Sequence, residues 1–420
     1  MIDDTADDDR APLRFVRDHR GDLVARTIEL LAYDTQNPPG QTDAVMEAIE
    51  SCLDDCGVAT TEFAVDPAKP NVVGTIPGER EETLMLMGHL DTVPFDEDEW
   101  TFDPLGERDG DRIYGRGATD MKGPTAAMVE VARAFAETDT TPPVTLQFAF
   151  VSDEETGGDA GVRAMLEADA LDADGCVIGE TTCEGGRHAV TVADKGSIWL
   201  TLEATGEGAH GSRPMLGESA VDRLYDCIQY LRRSLTNREL ELDEAVAPII
   251  EESVAYYTQD LGEAAARELF THPTINLGVF EGGETINSVP EAARAMLDVR
   301  ISPGVHTPSV LADIRDCIGE CEGTIVEDVS WSIGTFVDED DPVVTATADV
   351  AESVTGTHVY RRSATGGGDA KNLRNAGIPT IEFGVGTDSV HAVDEYTTVD
   401  ALEANATVYA ELPWAFADRL

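Results

Sequence analysis

Three short apolar runs, with a helical pattern between the first two, constrain this chain more than any other feature. They are Leu84-Met85-Leu86-Met87, residues 144–151 (VTLQFAFV) and Cys176-Val177-Ile178. A strand exposed on one face alternates apolar and polar residues, whereas a strand buried on both faces reads as a near-continuous apolar run. Residues 121–137, between the first two runs, carry apolar side chains at helical spacing. Strand, helix, strand in succession predicts a crossover unit, and so an α/β fold with a mostly parallel sheet and helices on both faces. A helical pattern also covers residues 11–57 and breaks at Asn37-Pro38-Pro39-Gly40.

The texture changes around Asp194-Lys195-Gly196. The stretch SIWLTLEATGE alternates, as a half-exposed antiparallel strand would. A helix is predicted near residues 219–235, then a very acidic helical stretch to Phe270, then strands at 274–280 and 293–301. This predicts a smaller α+β domain inserted into the first one. The expected boundaries are 1–193 and 306–420 for the interrupted α/β domain and 194–305 for the insertion, with the return set at Pro303-Gly304.

Charge excludes some partners. The chain of 420 residues has 29 basic against 82 acidic residues, a net charge of −53. Such a surface repels phosphate backbones and anionic headgroups, so neither nucleic acid nor a membrane is an expected partner. Only Lys69, Lys122, Lys195 and Lys371 are lysines; every other basic residue is Arg. Many carboxylates with almost no Lys suit a cytoplasm at molar salt, where self-repulsion is screened within about 3 Å. The first ten residues, five of them Asp, read as a solvated, frayed tail without the pattern of a signal peptide. No run approaches a membrane span. Seven cysteines do not suggest a disulfide framework. Cys52 with Cys56, and Cys317 with Cys321, are expected to be core thiols.

Five places combine an apolar strand with a metal-capable side chain just past its end. They are GHLDTVP with His89 and Asp91, GRGATDMKG with Asp120, SDEETGG with Glu154 and Glu155, IGE with Glu180, and FGVGTDSVHAVDE with His391. In a parallel sheet the carboxyl ends of the strands share one edge, where loops build sites. Two histidines and several carboxylates meeting there suit Zn²⁺ or a similar borderline ion. One acid pair in a chain this acidic carries little weight, so the argument rests on the ordered set.

Taken together, these motifs resemble the dinuclear zinc amidohydrolases and exopeptidases that include acetylornithine deacetylase, succinyl-diaminopimelate desuccinylase and carboxypeptidase G. The resemblance spans roughly residues 20–415. It implies two divalent ions, Zn²⁺ first, with Co²⁺ or Mn²⁺ as alternatives. His89, Asp120 and Glu180 would hold one ion, and Asp120, Glu155 and His391 the other. Asp91 would orient the His89 imidazole, and Glu154 would act as general base. In the inserted domain, His210 in GAHGSRP resembles the residue that stabilises the oxyanion across a homodimer. Asn287 in GETINSVP and Arg300 in LDVRIS match substrate-side positions, and the loops at Gly367 and Gly386 resemble ones whose N–H groups hold a carboxylate. The implied reaction is hydrolysis of an amide, removing an acetyl or succinyl group from an amino acid such as N-acetylornithine or N-succinyl-diaminopimelate. A carboxypeptidase or dipeptidase with the same site is the alternative. The resemblance makes the interrupted domain catalytic and the inserted one a lid and dimerisation domain, and two departures touch that lid. They are Ser212-Arg213 ahead of Pro214 and a long acidic segment over 240–270.

Overall fold

The computed structural model describes residues 10–183 and 185–420, so the acidic stretch before Arg10, expected to be a frayed tail, lies outside the described residues. The chain divides into two compact units: residues 1–192, 337–361 and 368–420, and residues 193–336 with 362–367.

The predicted apolar runs form the centre of the first unit's sheet. Thr83–His89 pairs in parallel with Thr145–Val151 on one side and Gly175–Ile178 on the other, and Thr380–Glu382 continues in parallel beyond Gly175–Ile178. Asn71–Ile76 and Ala59–Phe63 extend the Thr145–Val151 side as antiparallel strands. Leu84 through Met87 are fully buried, as a strand covered on both faces requires. The helix Lys122–Glu137 is buried almost all round, because it is covered by Ala11–Asp18, Arg20–Leu31 and Val399–Ala417 as well as by Thr83–His89. Its small residues, Ala126, Ala127, Ala132 and Ala134, permit that close approach. Among the described residues no helix is long and apolar enough to cross a membrane.

The second unit is a four-stranded antiparallel sheet in the order Thr274–Gly282, Ala292–Ile301, Gly196–Thr205, Thr324–Ser332. Ile198, Leu200, Leu297 and Val299 face a core shared with Leu224, Ile228 and Leu231 of the helix Ala220–Thr236 and Leu311 and Ile314 of the helix Thr307–Gly319. The acidic segment forms two further helices, Ala247–Leu261 and Glu263–Thr271, which close over Val246, Ile250, Val254 and Phe270.

Two expectations need correction. The second unit runs on to Phe336, not 305. Pro303-Gly304 is a turn within it, since the helix Thr307–Gly319 shares its core and Thr324–Ser332 pairs with Gly196–Thr205. Cys321 is also not a core thiol: it is disulfide-bonded to Cys227, 94 residues earlier, with 5.6 Å between Cα atoms. The helix Ala220–Thr236 and the turn after Thr307–Gly319 bring the two together, which no spacing along the chain displays. Cys52, Cys56 and Cys317 are free thiols at half-buried positions.

Candidate metal centre

Because the central strands run parallel, the segments leaving their carboxyl ends emerge on one edge. His89 is the last residue of its strand. After Val151, Asp153 turns in the left-handed region at φ 69° and opens the single helical turn Glu154–Thr156. Glu180 follows Gly175–Ile178, and His391 comes from the segment after Thr380–Glu382. Asp120, expected just past a strand's end, instead arrives just ahead of the helix Lys122–Glu137.

These side chains form two triads that share Asp120: His89, Asp120 and Glu180, and Asp120, Glu155 and His391, with the ligand atoms of each within 4.8 Å of one another. Asp120 divides its oxygens between them. Its Oδ1 is 3.2 Å from His89 Nε2, and its Oδ2 is 2.9 Å from His391 Nε2. Glu180 Oε1 lies 3.3 Å from His89 Nε2, and Glu155 Oε1 lies 3.4 Å from His391 Nε2. Glu155 Oε1 is buried without a hydrogen-bond partner. A buried carboxylate oxygen lacking a donor is costly, and a cation in the triad relieves it. The donor set of two imidazoles and three carboxylates, with one carboxylate common to both triads, fits two divalent ions of the Zn²⁺, Co²⁺ or Mn²⁺ type.

Residues 85–415 match the model of peptidase family M20/M25/M40. The chain belongs to that family. It is 28% identical over 374 residues to an acetylornithine deacetylase of Vibrio campbellii, covering 87% of this chain and 89% of that one. It is 27% identical over 390 residues to a probable succinyl-diaminopimelate desuccinylase of Staphylococcus epidermidis, covering 89% and 93%. Among solved structures, an M20 family metallo-carboxypeptidase of Sulfolobus solfataricus shares the fold at a TM-score of 0.76 and 22% identity, covering 94% of this chain and 99% of that one. The chain is thus a hydrolase of the M20/M25/M40 family.

In this family member the residue expected to orient His89 does so through a different atom. His89 Nδ1 is 2.9 Å from the Asp91 main-chain carbonyl and 3.7 Å from its carboxylate. A carbonyl only accepts, so Nδ1 carries the proton and Nε2 faces the triad. The Asp91 carboxylate accepts the Glu154 and Glu155 N–H groups, each at 3.1 Å, and the Asn37 amide at 2.8 Å. Asn37 also donates to Asp153 Oδ1 at 3.0 Å, where Lys69 adds an ion pair. Asn37, Lys69 and Asp153 were not singled out from sequence. Their only signals were the Asn-Pro-Pro-Gly break and the rarity of lysine.

Electrostatics separates the acids. Burial would lower His89, but its hydrogen bonds with Asp120 and Glu180 hold it well above the ordinary imidazole value. Burial would raise Asp120, yet the two imidazoles hold it below the ordinary carboxylate range. Burial, with Asp120 nearby, pushes Glu180 up to about 8. Glu154 lies outside both triads. Burial holds it well above the carboxylate range, opposed by His89 and reinforced by Glu180 and Asp369. Gly368 leaves room for it, since a Cβ there would stand 2.7 Å from Glu154 Oε1. Asp369, another residue not singled out from sequence, is buried with Oδ2 unpartnered.

The remaining predicted residues divide between the units. Gly386 packs against Thr119 and Thr181, where a Cβ would have no space, and the neighbouring Thr387 N–H is committed to Thr119 Oγ1. His210, Asn287, Arg300 and Gly367 belong to the second unit. There, exposed His210 bonds Ser212 Oγ at 2.8 Å, and the Asn287 carbonyl accepts the Gly211 N–H, so these two loops adjoin. Arg300 is paired with Asp298 at 2.8 Å and lies over the Trp199 ring.

Proposed function

We propose that this chain hydrolyses an N-acyl amino acid at a two-ion centre, releasing acetate or succinate from a substrate such as N-acetylornithine or N-succinyl-diaminopimelate. One observation carries the reading: two ligand triads share Asp120, and the half-buried acid Glu154 stands beside them without belonging to either. Two divalent cations bound there would polarise the scissile carbonyl and lower the pKa of the attacking water. The chain's own residues do the rest. Glu154 takes the water proton and delivers it to the leaving amine, which otherwise departs very poorly. Asp91 fixes the Glu154–Glu155 turn, and its carbonyl fixes the tautomer of His89.

His210 is assigned to the developing oxyanion and Arg300 to the substrate carboxylate, with Asn287, Gly367 and Gly386 lining that side. Both partners of the scissile bond are then small molecules. A homodimer through the second unit is part of the proposal, supported by the exposed Trp199, Met296 and Trp331 on its sheet. The setting is a high-salt cytoplasm.

The test is Glu154→Gln with a substrate panel in molar KCl. The variant should keep both ions and lose about 10²–10⁴-fold in kcat; activity like the wild type's would overturn the assignment. The panel separates the deacylase from the peptidase reading. Turnover of N-acetylornithine or N-succinyl-diaminopimelate supports the first, and turnover of dipeptides alone supports carboxypeptidase or dipeptidase action.

A further inference from the structure

Asp120 and His391 come from segments of the first unit that the second unit's sequence separates, yet one buried ion pair reaches the backbone of both. Arg116 is 5% exposed and Glu395 is 0% exposed, and they pair across 279 residues of sequence. Glu395 uses its two oxygens differently. Oε2 receives the Arg116 guanidinium, while Oε1 accepts the N–H of Thr119 at 3.0 Å and of Asp120 at 3.1 Å. Arg116 Nη2 donates to the carbonyls of His391 and Ala392, both at 3.2 Å. A second layer secures the pair: the Gly115 N–H donates to the Glu395 carbonyl at 2.9 Å, and the Arg116 N–H donates to the Pro104 carbonyl at 2.8 Å. The connected path therefore runs from the Asp120 amide through Glu395 and Arg116 to the His391 carbonyl.

His391 has a reason to need such a hold. Its backbone sits at φ 60°, in the left-handed region. A non-glycine residue stays there only when its surroundings over-determine it. The Arg116 bonds to two successive carbonyls are that constraint, and a forked guanidinium can make them while keeping its carboxylate partner.

We propose that Arg116 and Glu395 are positioning residues that set the separation of Asp120 and His391, and so the affinity for the ion held by Asp120, Glu155 and His391. The inference rests on the two-ion reading above. Neither residue belongs to a ligand triad. Each acts through the backbone of a ligand, as partners behind metal ligands commonly do.

The test uses the full chain, stripped of metal and titrated with Co²⁺. It follows stoichiometry by elemental analysis and the ligand-field absorbance of each ion. Wild type should take up two ions. Glu395→Gln keeps an acceptor for the two N–H groups but loses the ion pair; Arg116→Lys keeps the charge but loses the fork. Each should weaken the second ion about 10–100-fold and alter its absorbance, with the first ion's affinity held within about threefold and kcat recovered at saturating metal. Unchanged second-ion affinity, or equal weakening of both ions, overturns the tie while leaving two-ion binding intact. A wild type that binds a single ion overturns the two-ion reading and the tie with it. Should a variant fail to fold, hydrogen exchange on metal-free wild type decides: the Thr119 and Asp120 amides should exchange slowly, and fast exchange overturns the tie.

Discussion

Asp91→Asn separates two accounts of one residue. If the carboxylate orients the His89 imidazole, the ion on His89, Asp120 and Glu180 should weaken about 10–100-fold, as for other partners behind metal ligands. The geometry assigns it elsewhere. His89 Nδ1 is bonded to the Asp91 carbonyl at 2.9 Å, which the substitution leaves untouched. The carboxylate instead receives the Glu154 and Glu155 N–H groups on separate oxygens. An Asn side chain in the same place has one oxygen, so one N–H keeps its acceptor and the other faces an amide donor. The loss is one bond to a charged acceptor, about 1.5–3 kcal/mol, plus the stranding of a largely buried N–H, about 1–3 kcal/mol. Together that is roughly 2.5–6 kcal/mol on the turn carrying Glu154. Expressed in the placement of the base, it lowers kcat by about 10²–10⁴-fold at 1.4 kcal/mol per decade. The assay is kcat and KM at saturating metal beside the affinity of each ion. The expected result is a fall in kcat with the His89-side ion retained. Weakening of that ion with kcat intact at saturating metal would refute the reasoning.

Two further predictions follow from charge. Burial lowers Lys122 to about 7, so between there and its ordinary value of 10.5 the unfolded chain holds a proton that the folded chain has released. Stability should therefore rise with pH across that window, by an amount on the order of 5 kcal/mol, and Lys122→Met should remove that slope in urea unfolding at pH 7–10; equal slopes in the two proteins would contradict it. The net charge of −53 predicts a melting temperature that climbs steeply from 0.1 M to 2 M KCl, as the screening length falls from about 10 Å toward 3 Å or less. A flat profile would reject the high-salt setting.

The sheet was legible because burial on both faces leaves a mark in composition, as at Leu84-Met85-Leu86-Met87. The five ligands and the base were legible only as an ordered set, and only their geometry shows that Asp120 gives one oxygen to each triad. What stayed hidden is what bonds to backbone. Nothing in a sequence says that the Asp91 carboxylate takes two N–H groups while its carbonyl takes the imidazole, or that Glu395 reaches the Asp120 amide. The same holds for Cys227 and Cys321, whose meeting depends on how two helices cross a sheet. Lysine is the instructive exception. In a chain that has replaced it almost everywhere, three of the four survivors bond a compact amine at a defined point. Lys122 donates to the Tyr33 carbonyl at 2.7 Å from a fully buried position beside the Asp120 segment. Lys69 pairs with Asp153 under the Glu154 turn, and Lys195 donates to the Leu269 carbonyl over the Phe270 ring. An Arg fork is too broad for a single buried acceptor, and an apolar side chain would leave that acceptor unpaired. Scarcity of a residue type thus located structural amines that the abundance of acids could not.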